Sequence, residues 1–525
     1  MGKHSETGKP ATIVILDFGA QYVQLIARRV RENQVHSVIV RPDVTVAEIR
    51  AHNAIGIILS GGPMSVYAAG APRCKPEILS MGLPVLGICY GLQLGAEILG
   101  AKVQSSESRE FGRVALEVIE DGALFAHVPR STAVWMSHGD QVKELPSDFI
   151  PLARTKLCPV AGVRHRTKPF FAVQFHPEVT HTPCGNQIIR NFLYDICGAT
   201  GDWQVGGVIA NLVTSIQRQV GEKDRVICGL SGGVDSSVAA ALIHQAIGDR
   251  LTCIFVDNGV MRSGEVDLVE TTFRQHFHVD LRVVDASERF LTKLAGISDP
   301  QRKRTIIGHE FIEVFKAEAK SIPGARFLAQ GTLYPDVIES GVGVGTGGAT
   351  ANIKLHHNVG GLPAELGFEL VEPLRDLFKD EVRRVGDHLG LPKEIVWRHP
   401  FPGPGLAVRI IGDITPQRLA ILRHADDIIT EEMRTSAWYD KIAQGFAVLV
   451  PVSTVGVMGD DRSYAGQNLI AIRFVESVDF MTADWVRVDY EVLGRMSSRI
   501  MNEVRGVNRV VYDVSTKPPA TIEWE

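Results

Sequence analysis

The run Ser-Gly-Gly-Val-Asp-Ser-Ser at residues 231–237 constrains the fold most, because it joins two segments of different backbone period. Upstream, residues 225–230 are an almost unbroken apolar run of strand length, which predicts a buried parallel strand. Downstream, residues 238–247 are good helix formers throughout. Two adjacent glycines let the backbone turn sharply and approach a ligand, the serine hydroxyls add donors, and the N–H groups of a helix N-terminus face the same space. Strand, turn and helix thus predict an α/β fold with a cradle for phosphate made by Ser231, Gly232, Gly233, Val234, Asp235, Ser236 and Ser237. The Gly-Lys-Ser/Thr ending of a Walker loop is missing, and Asp235 stands where that motif would place a cation. An aspartate beside phosphates predicts a bridging Mg²⁺. A capped glycine turn with no ligand is the plainer alternative.

A second constellation lies in the first 200 residues. Residues 12–17 and 56–60 are short apolar runs that end in glycine-containing turns, with helical spacing over 21–32 between them. This alternation predicts a parallel, doubly wound sheet with function at the carboxyl ends of its strands. Residues 84–88 form the next strand and deliver Cys89 into a turn flanked by Gly87 and Gly91, a geometry that exposes a nucleophile. A helix N-terminus there favours the thiolate. Taken alone, Cys89 also reads as a buried structural cysteine. Residues 170–175 tip the balance, because this strand runs into His176, Pro177 and Glu178. In extended backbone His176 and Glu178 point to the same side, so thiol, imidazole and carboxylate make up a triad. His138 is a rival base, ranked as a neighbour because it lacks an adjoining carboxylate.

With 525 residues and roughly 100 to 200 per domain, three domains are expected: 11–200, 201–400 and 401–525. The predicted class is α/β, two doubly wound mainly parallel-sheet domains followed by a smaller α+β domain. The proline-rich run 399–405 marks the second boundary and 200–203 a linker. Lys plus Arg total 55 against 60 for Asp plus Glu, so no global basic field recruits nucleic acid. Seven cysteines without regular spacing argue against a disulfide framework and fit a reducing cytoplasm. The polar first ten residues are no signal or anchor, and the uncharged stretch 81–101 is interrupted by Pro84, glycines, Gln93 and Glu97, so no membrane span is expected. Further along, Val256 ends a second apolar strand, Gly331 follows a third, and Lys379 opens a helix. The glycine-rich run 341–348 and residues 353–363 read as a lid, while two prolines in the final eleven residues predict an extended tail.

The loop 231–237 resembles the signature loop of the ATP pyrophosphatases. The segments 60–63, 87–91 and 175–178 resemble the class I glutamine amidotransferase domain. That likeness implies hydrolysis of the glutamine side-chain amide through a thioester at Cys89, with Gly61 and Tyr90 as oxyanion donors and Gln93 and His138 lining the glutamine pocket. Both motif sets in this order, with the C-terminal tail, resemble the glutamine-hydrolysing GMP synthetase family along nearly the whole chain. The family resemblance implies that MgATP, held by the loop with Val256, Gly331 and Lys379, adenylates xanthosine monophosphate (XMP), that Arg304, Lys517, Ile522 and Glu523 meet XMP, and that the C-terminal part forms a homodimer. Ala20 and Leu355 depart from the family pattern without removing a catalytic group. An RNA-modifying enzyme with a related loop would carry a basic face, and a nucleotide-sensing scaffold would have lost Cys89, His176, Glu178 or Asp235.

Overall fold

Apolar runs in the first part of the chain pair into one nine-stranded sheet in the computed structural model, which describes residues 10–339, 367–458, 461–463, 468–477, 480 and 482–525. The strands are β1 (Thr12–Leu16), β2 (His36–Val40), β3 (Ala54–Leu59), β4 (Val85–Ile88), β5 (Lys102–Val118), β6 (Ser131–Glu144), β7 (Phe149–Arg154), β8 (Gly162–His165) and β9 (Phe170–Val173). Their order is β2-β1-β3-β4-β9-β8-β7-β5-β6. The five strands from β2 to β9 are parallel. Beyond β9 the pairings are antiparallel, ending in the long β5–β6 hairpin. β1 and β4 are buried along their whole length, as a strand covered on both faces must be.

A second sheet follows from β10 (Arg225–Leu230), β11 (Leu251–Asp257), β12 (Asp280–Asp285), β13 (Ala325–Ala329) and β14 (Glu369–Val371), all parallel in the order β12-β11-β10-β13-β14. The order reverses between β10 and β13, so the loops after these two strands diverge and leave a crevice at their carboxyl ends. The remaining strands are β15 (Gln444–Val450), the hairpin β16 (Gly456–Met458) and β17 (Asp461–Ser463), β18 (Asn468–Glu476), β19 (Asp484–Trp485) and β20 (Val507–Tyr512). β15, β18, β19 and β20 form a mixed sheet packed by the helices Pro416–Thr435 and Tyr490–Glu503.

The described residues fall into two compact units, one running through Val208 and including 335–339, the other beginning at Ile209. The expected linker at 200–203 is docked rather than free: Trp203 lies under the Arg31 guanidinium at 5.1 Å and its N–H donates to the Gln34 carbonyl at 3.0 Å. The expected break at 399–405 is likewise filled. His399 stacks on Tyr439 with centroids 4.0 Å apart, Leu406 N–H donates to the Val260 carbonyl, and one core joins Ile254 and Phe315 to Leu419, Ile470 and Met496. Three prolines in seven residues exclude regular structure but not burial. No helix among the described residues is long and apolar enough to cross a membrane. The lid expected at 341–348 and 353–363, with Leu355, lies outside the described residues.

The tail corrects an expectation. It does not run extended through Pro518 and Pro519 but turns there, with Ala520 N–H donating to the Thr516 carbonyl at 3.0 Å. The cause is Arg473, fully buried, which donates to the Ser515 carbonyl at 2.6 Å and to the Thr521 carbonyl at 3.2 Å, gathering both limbs. Hydrogen bonds from a charged donor contribute about 1.5 to 3 kcal/mol each. Replacing Arg473→Ala is therefore expected to speed subtilisin cleavage between Asp513 and Thr516 by at least roughly tenfold; an unchanged cleavage rate would show that other contacts hold the tail.

Candidate functional site

Cys89 stands between β4 and the helix Tyr90–Ile98 with φ 53° and ψ −105°, a backbone region that side chains rarely adopt. Packing forces the turn. A Cβ at Gly91 would lie 2.2 Å from the Leu59 carbonyl oxygen on β3, and one at Gly87 would lie 2.6 Å from the Gly91 oxygen. The helix therefore starts hard against β3, and the Cys89 N–H, donating to the Val173 carbonyl at 2.8 Å, fixes the turn to β9. β9 leads in turn to His176, whose Nδ1 lies 2.7 Å from Glu178 Oε1. The His176 backbone is held from both sides, its N–H donating to Trp135 O and its carbonyl accepting from the Thr182 hydroxyl at 2.7 Å. Gly61 follows β3, and a Cβ there would be 3.4 Å from His176 Cε1 and 3.9 Å from Cys89 Cβ. Three adjacent parallel strands thus bring Gly61, Cys89 and His176 together at their carboxyl ends.

Burial works against an imidazolium at His176, but the Glu178 carboxylate and the nearby Cys89 side chain outweigh it and hold its pKa well above the ordinary 6.5. Glu178 accepts from Nδ1, so Nε2 is the nitrogen left to exchange a proton with the thiol. At His138 burial prevails and the pKa is lowered. The reason for ranking His138 second needs correcting: it has a carboxylate, because β5 pairs with β6 and sets Glu110 opposite it, 3.5 Å from Nε2. Gln93 Nε2 donates to the Asp140 carbonyl at 2.9 Å, beside His138. Tyr90 is buried with its hydroxyl donating to Pro72 O, which leaves its backbone N–H, at the helix start, as the donor nearest Cys89 in sequence. Gln174, which sequence reasoning missed, reaches Cys89 Sγ with its amide at 3.7 Å.

In the second unit β10 ends at Leu230 and the helix Val234–Ile247 begins after Gly233. Gly232 has φ +72°, and a Cβ there would meet Glu265 Oε1 at 2.3 Å. Ser231 and Ser236 hydroxyls lie 3.1 Å apart, and the Ser236 hydroxyl also reaches the Gly233 carbonyl. Ser237 is fully buried behind them. Val256 is buried on β11, and Gly331, after β13, approaches so closely that a Cβ would lie 3.0 Å from the Asp235 carbonyl carbon. Lys379 Nζ lies 3.0 Å from Asp235 Oδ2, while Asp235 Oδ1 is buried with no hydrogen-bond partner. An orphaned carboxylate oxygen beside a glycine cradle fits a hard divalent cation such as Mg²⁺. The loop is gripped from behind by Arg398, which donates to the Gly232 carbonyl at 2.6 Å and forks onto Glu265 at 2.5 and 2.9 Å. Arg398 and Glu265 carried no sequence signal.

The residues implied for XMP fall into separate contacts. Arg304 donates to the Glu525 carbonyl at 2.5 Å, and the buried Lys303 beside it pairs with the Glu525 carboxylate. Glu523 accepts a fork from the fully buried Arg409 at 2.9 and 3.1 Å and a third bond from Gln444 at 2.8 Å. Lys517 Nζ donates to the Phe480 carbonyl, and Ile522 is packed with Phe446 and Val448.

Comparison with known families gives three matches in order: glutamine amidotransferase class-I over residues 14–196, NAD synthase over 208–288, and GMP synthase C terminal domain over 431–524. A protein of Carboxydothermus hydrogenoformans named GMP synthase [glutamine-hydrolyzing] is 54% identical over 513 residues, covering 98% of this chain and 99% of the relative. The chain belongs to the glutamine-hydrolysing GMP synthase family. Proteins of the same name from Caldanaerobacter subterraneus subsp. tengcongensis and Aquifex aeolicus are 53% and 54% identical, each again covering 98% of this chain and 99% of the relative.

In this family member the His176–Glu178 pair makes a checkable pH signature. Because the folded pKa of His176 is raised, the pair stabilises the fold fully below pH 6.5, and that contribution fades as pH rises through the folded value. Glu178→Gln is expected to lower Tm more at about pH 6 than at about pH 9. A Tm loss that is equal at both would mean that Glu178 does not carry the charge that raises His176.

Proposed function

We propose that the chain makes GMP by two linked reactions, one in each unit. In the first, Cys89 attacks the side-chain amide carbon of glutamine, and His176 takes the thiol proton and passes it to the leaving nitrogen, which departs as ammonia. The γ-glutamyl thioester is then hydrolysed by water to glutamate, and Glu178 keeps the imidazole in the tautomer that both steps need. The oxyanion receives the backbone N–H groups of Gly61 and Tyr90. The observation that carries this reading is the strained Cys89 turn, with His176 and Glu178 held at the end of the neighbouring strand.

In the second unit the chain is an ATP-dependent ligase. The 2-oxo oxygen of XMP attacks the α-phosphate of ATP, pyrophosphate leaves, and ammonia then displaces AMP to give GMP. The chemistry requires this order, since a urea-like carbonyl oxygen leaves poorly and AMP leaves well. The loop 231–237 holds the phosphates by backbone N–H groups and hydroxyls, Lys379 meets the departing pyrophosphate, and Val256 and Gly331 border the nucleoside. Asp235 would hold Mg²⁺, which supplies charge neutralisation between phosphates when bound. Arg304, Lys517, Ile522 and Glu523 bind XMP, with residues 401–525 as the dimerising domain after domains 11–200 and 201–400. Seven free thiols support a reducing, cytoplasmic setting.

Cys89→Ala tests the division of labour. Glutamine should give no GMP, while an ammonium salt at a pH that supplies neutral NH₃ should restore synthesis to a rate comparable with the unmutated enzyme's ammonia-driven rate. If ammonia failed to rescue a folded variant, or if glutamine still worked, the nucleophile assignment would be wrong. Asp235→Asn, nearly isosteric, should abolish AMP formation from XMP, ATP and ammonia with the fold intact; near-normal turnover with full Mg²⁺ dependence would exclude Asp235 as the metal ligand.

A further inference from the structure

The pairing of β5 with β6 sets Glu110 opposite His138, and the turn after β7 brings Cys158 to them. A carboxylate oxygen, an imidazole nitrogen and a thiol sulfur lie within 4.8 Å of one another, on residues that are 4%, 4% and 0% exposed. Among the side-chain atoms of this cluster, His138 Nε2 is buried without a hydrogen-bond partner. His138 Nδ1 lies 3.0 Å from the Asp140 carbonyl, which can only accept, so Nδ1 carries a hydrogen and the neutral ring presents a lone pair at Nε2. That lone pair faces Glu110 Oε2 at 3.5 Å and has no hydrogen-bond partner. The Thr155 hydroxyl lies 2.8 and 3.0 Å from the two Glu110 oxygens and donates to the carboxylate.

Two acceptors facing each other in a buried space repel unless a positive species lies between them. A proton on Nε2 would draw the pair to a charge-assisted bond of about 2.7 to 2.9 Å. The 3.5 Å spacing instead matches the edge, about 3.4 Å, of a tetrahedron with metal–ligand bonds of about 2.1 Å. We propose that Glu110, His138 and Cys158 form a site for a zinc-class divalent cation, with a water as fourth ligand. Binding breaks the Cys158 S–H bond, forms a sulfur–metal bond and releases the proton to solvent. The Asp140 carbonyl on Nδ1 and the Thr155 hydroxyl on Glu110 orient two of the three ligands, as partners behind metal ligands do. The ion would tie the β5–β6 hairpin to the segment after β7, and through Asp140 to Gln93, close to Cys89.

Cobalt(II) is the probe, and Cys89→Ala is the background, because it removes the thiol of the neighbouring Cys–His pair. The full chain should bind one equivalent of Co²⁺ with a thiolate-to-cobalt charge-transfer band and a rise in Tm. Adding Cys158→Ser should abolish the band, and Glu110→Gln, which keeps every thiol, should weaken binding roughly ten- to hundredfold. Absence of the band with excess Co²⁺, its survival in the Cys158→Ser protein, or undiminished affinity in Glu110→Gln would each overturn the proposal. The Glu110→Gln titration decides the matter even if Cys158→Ser fails to fold.

Discussion

Much of the first unit depends on one close approach, the start of the helix Tyr90–Ile98 against the Leu59 carbonyl. With no side chain at Gly91, the helix can begin directly over β3, and the chain leaving β4 then has to reverse within one residue. Cys89 takes the strain of that reversal in its positive φ. Such strain costs on the order of 1 to 3 kcal/mol. Tyr90, Leu92, Leu94 and Ala96 are buried in the same helix, and each large apolar side chain contributes about 1.5 to 3 kcal/mol. Packing therefore exceeds the strain, and the buried Cys89 is held on the turn without having to be stabilised there.

The second unit solves the same problem with charge. Its strand-to-helix turn also excludes a side chain, at Gly232, but what occupies the space is the Glu265 carboxylate, and Arg398 ties that carboxylate to the Gly232 carbonyl. Both partners are largely buried, with side chains 10% and 6% exposed, so removing one would leave the other uncompensated at a cost of about 3 to 5 kcal/mol. The front of the loop is spared this role. Ser231 and Ser236 bond to each other and to the turn, and Asp235 keeps one oxygen without a partner. A loop gripped from behind can hold its donors in place for a ligand in front.

What was legible in the sequence was local. Gly87, Cys89 and Gly91 announce a turn because glycine spacing reports close backbone approach, and His176 and Glu178 announce a pair because two-residue spacing at a strand end fixes their side. The strand-to-helix turn at 231–237 was legible for the same reason. Arg398 and Glu265, 133 residues apart, were not, since an ion pair between distant segments leaves no pattern in either. Glu110 was missed likewise, because it reaches His138 only through the register of a hairpin that carries no short glycine turn. The tail misled for a third reason: proline content describes backbone preference, whereas Arg473 imposes the path from outside the segment.

Buried guanidinium groups give the tail its last constraint. Arg409 is fully buried, lies 4.0 Å over the Phe446 ring and forks onto Glu523, which also accepts from Gln444. Three donors fix the orientation of that carboxylate. Arg304 is held in the same manner at the other end, through the carbonyl of Glu525, while Lys303 takes the Glu525 carboxylate. Groups that the family resemblance associates with the acceptor nucleotide are thus positioned by contacts of the chain with itself. A nucleotide reaching them would meet side chains whose rotamer freedom is already lost, and ordering each such side chain otherwise costs about 0.5 to 1.5 kcal/mol on binding. If these groups bind the nucleotide as proposed, folding of the tail would do in advance part of the ordering that binding requires.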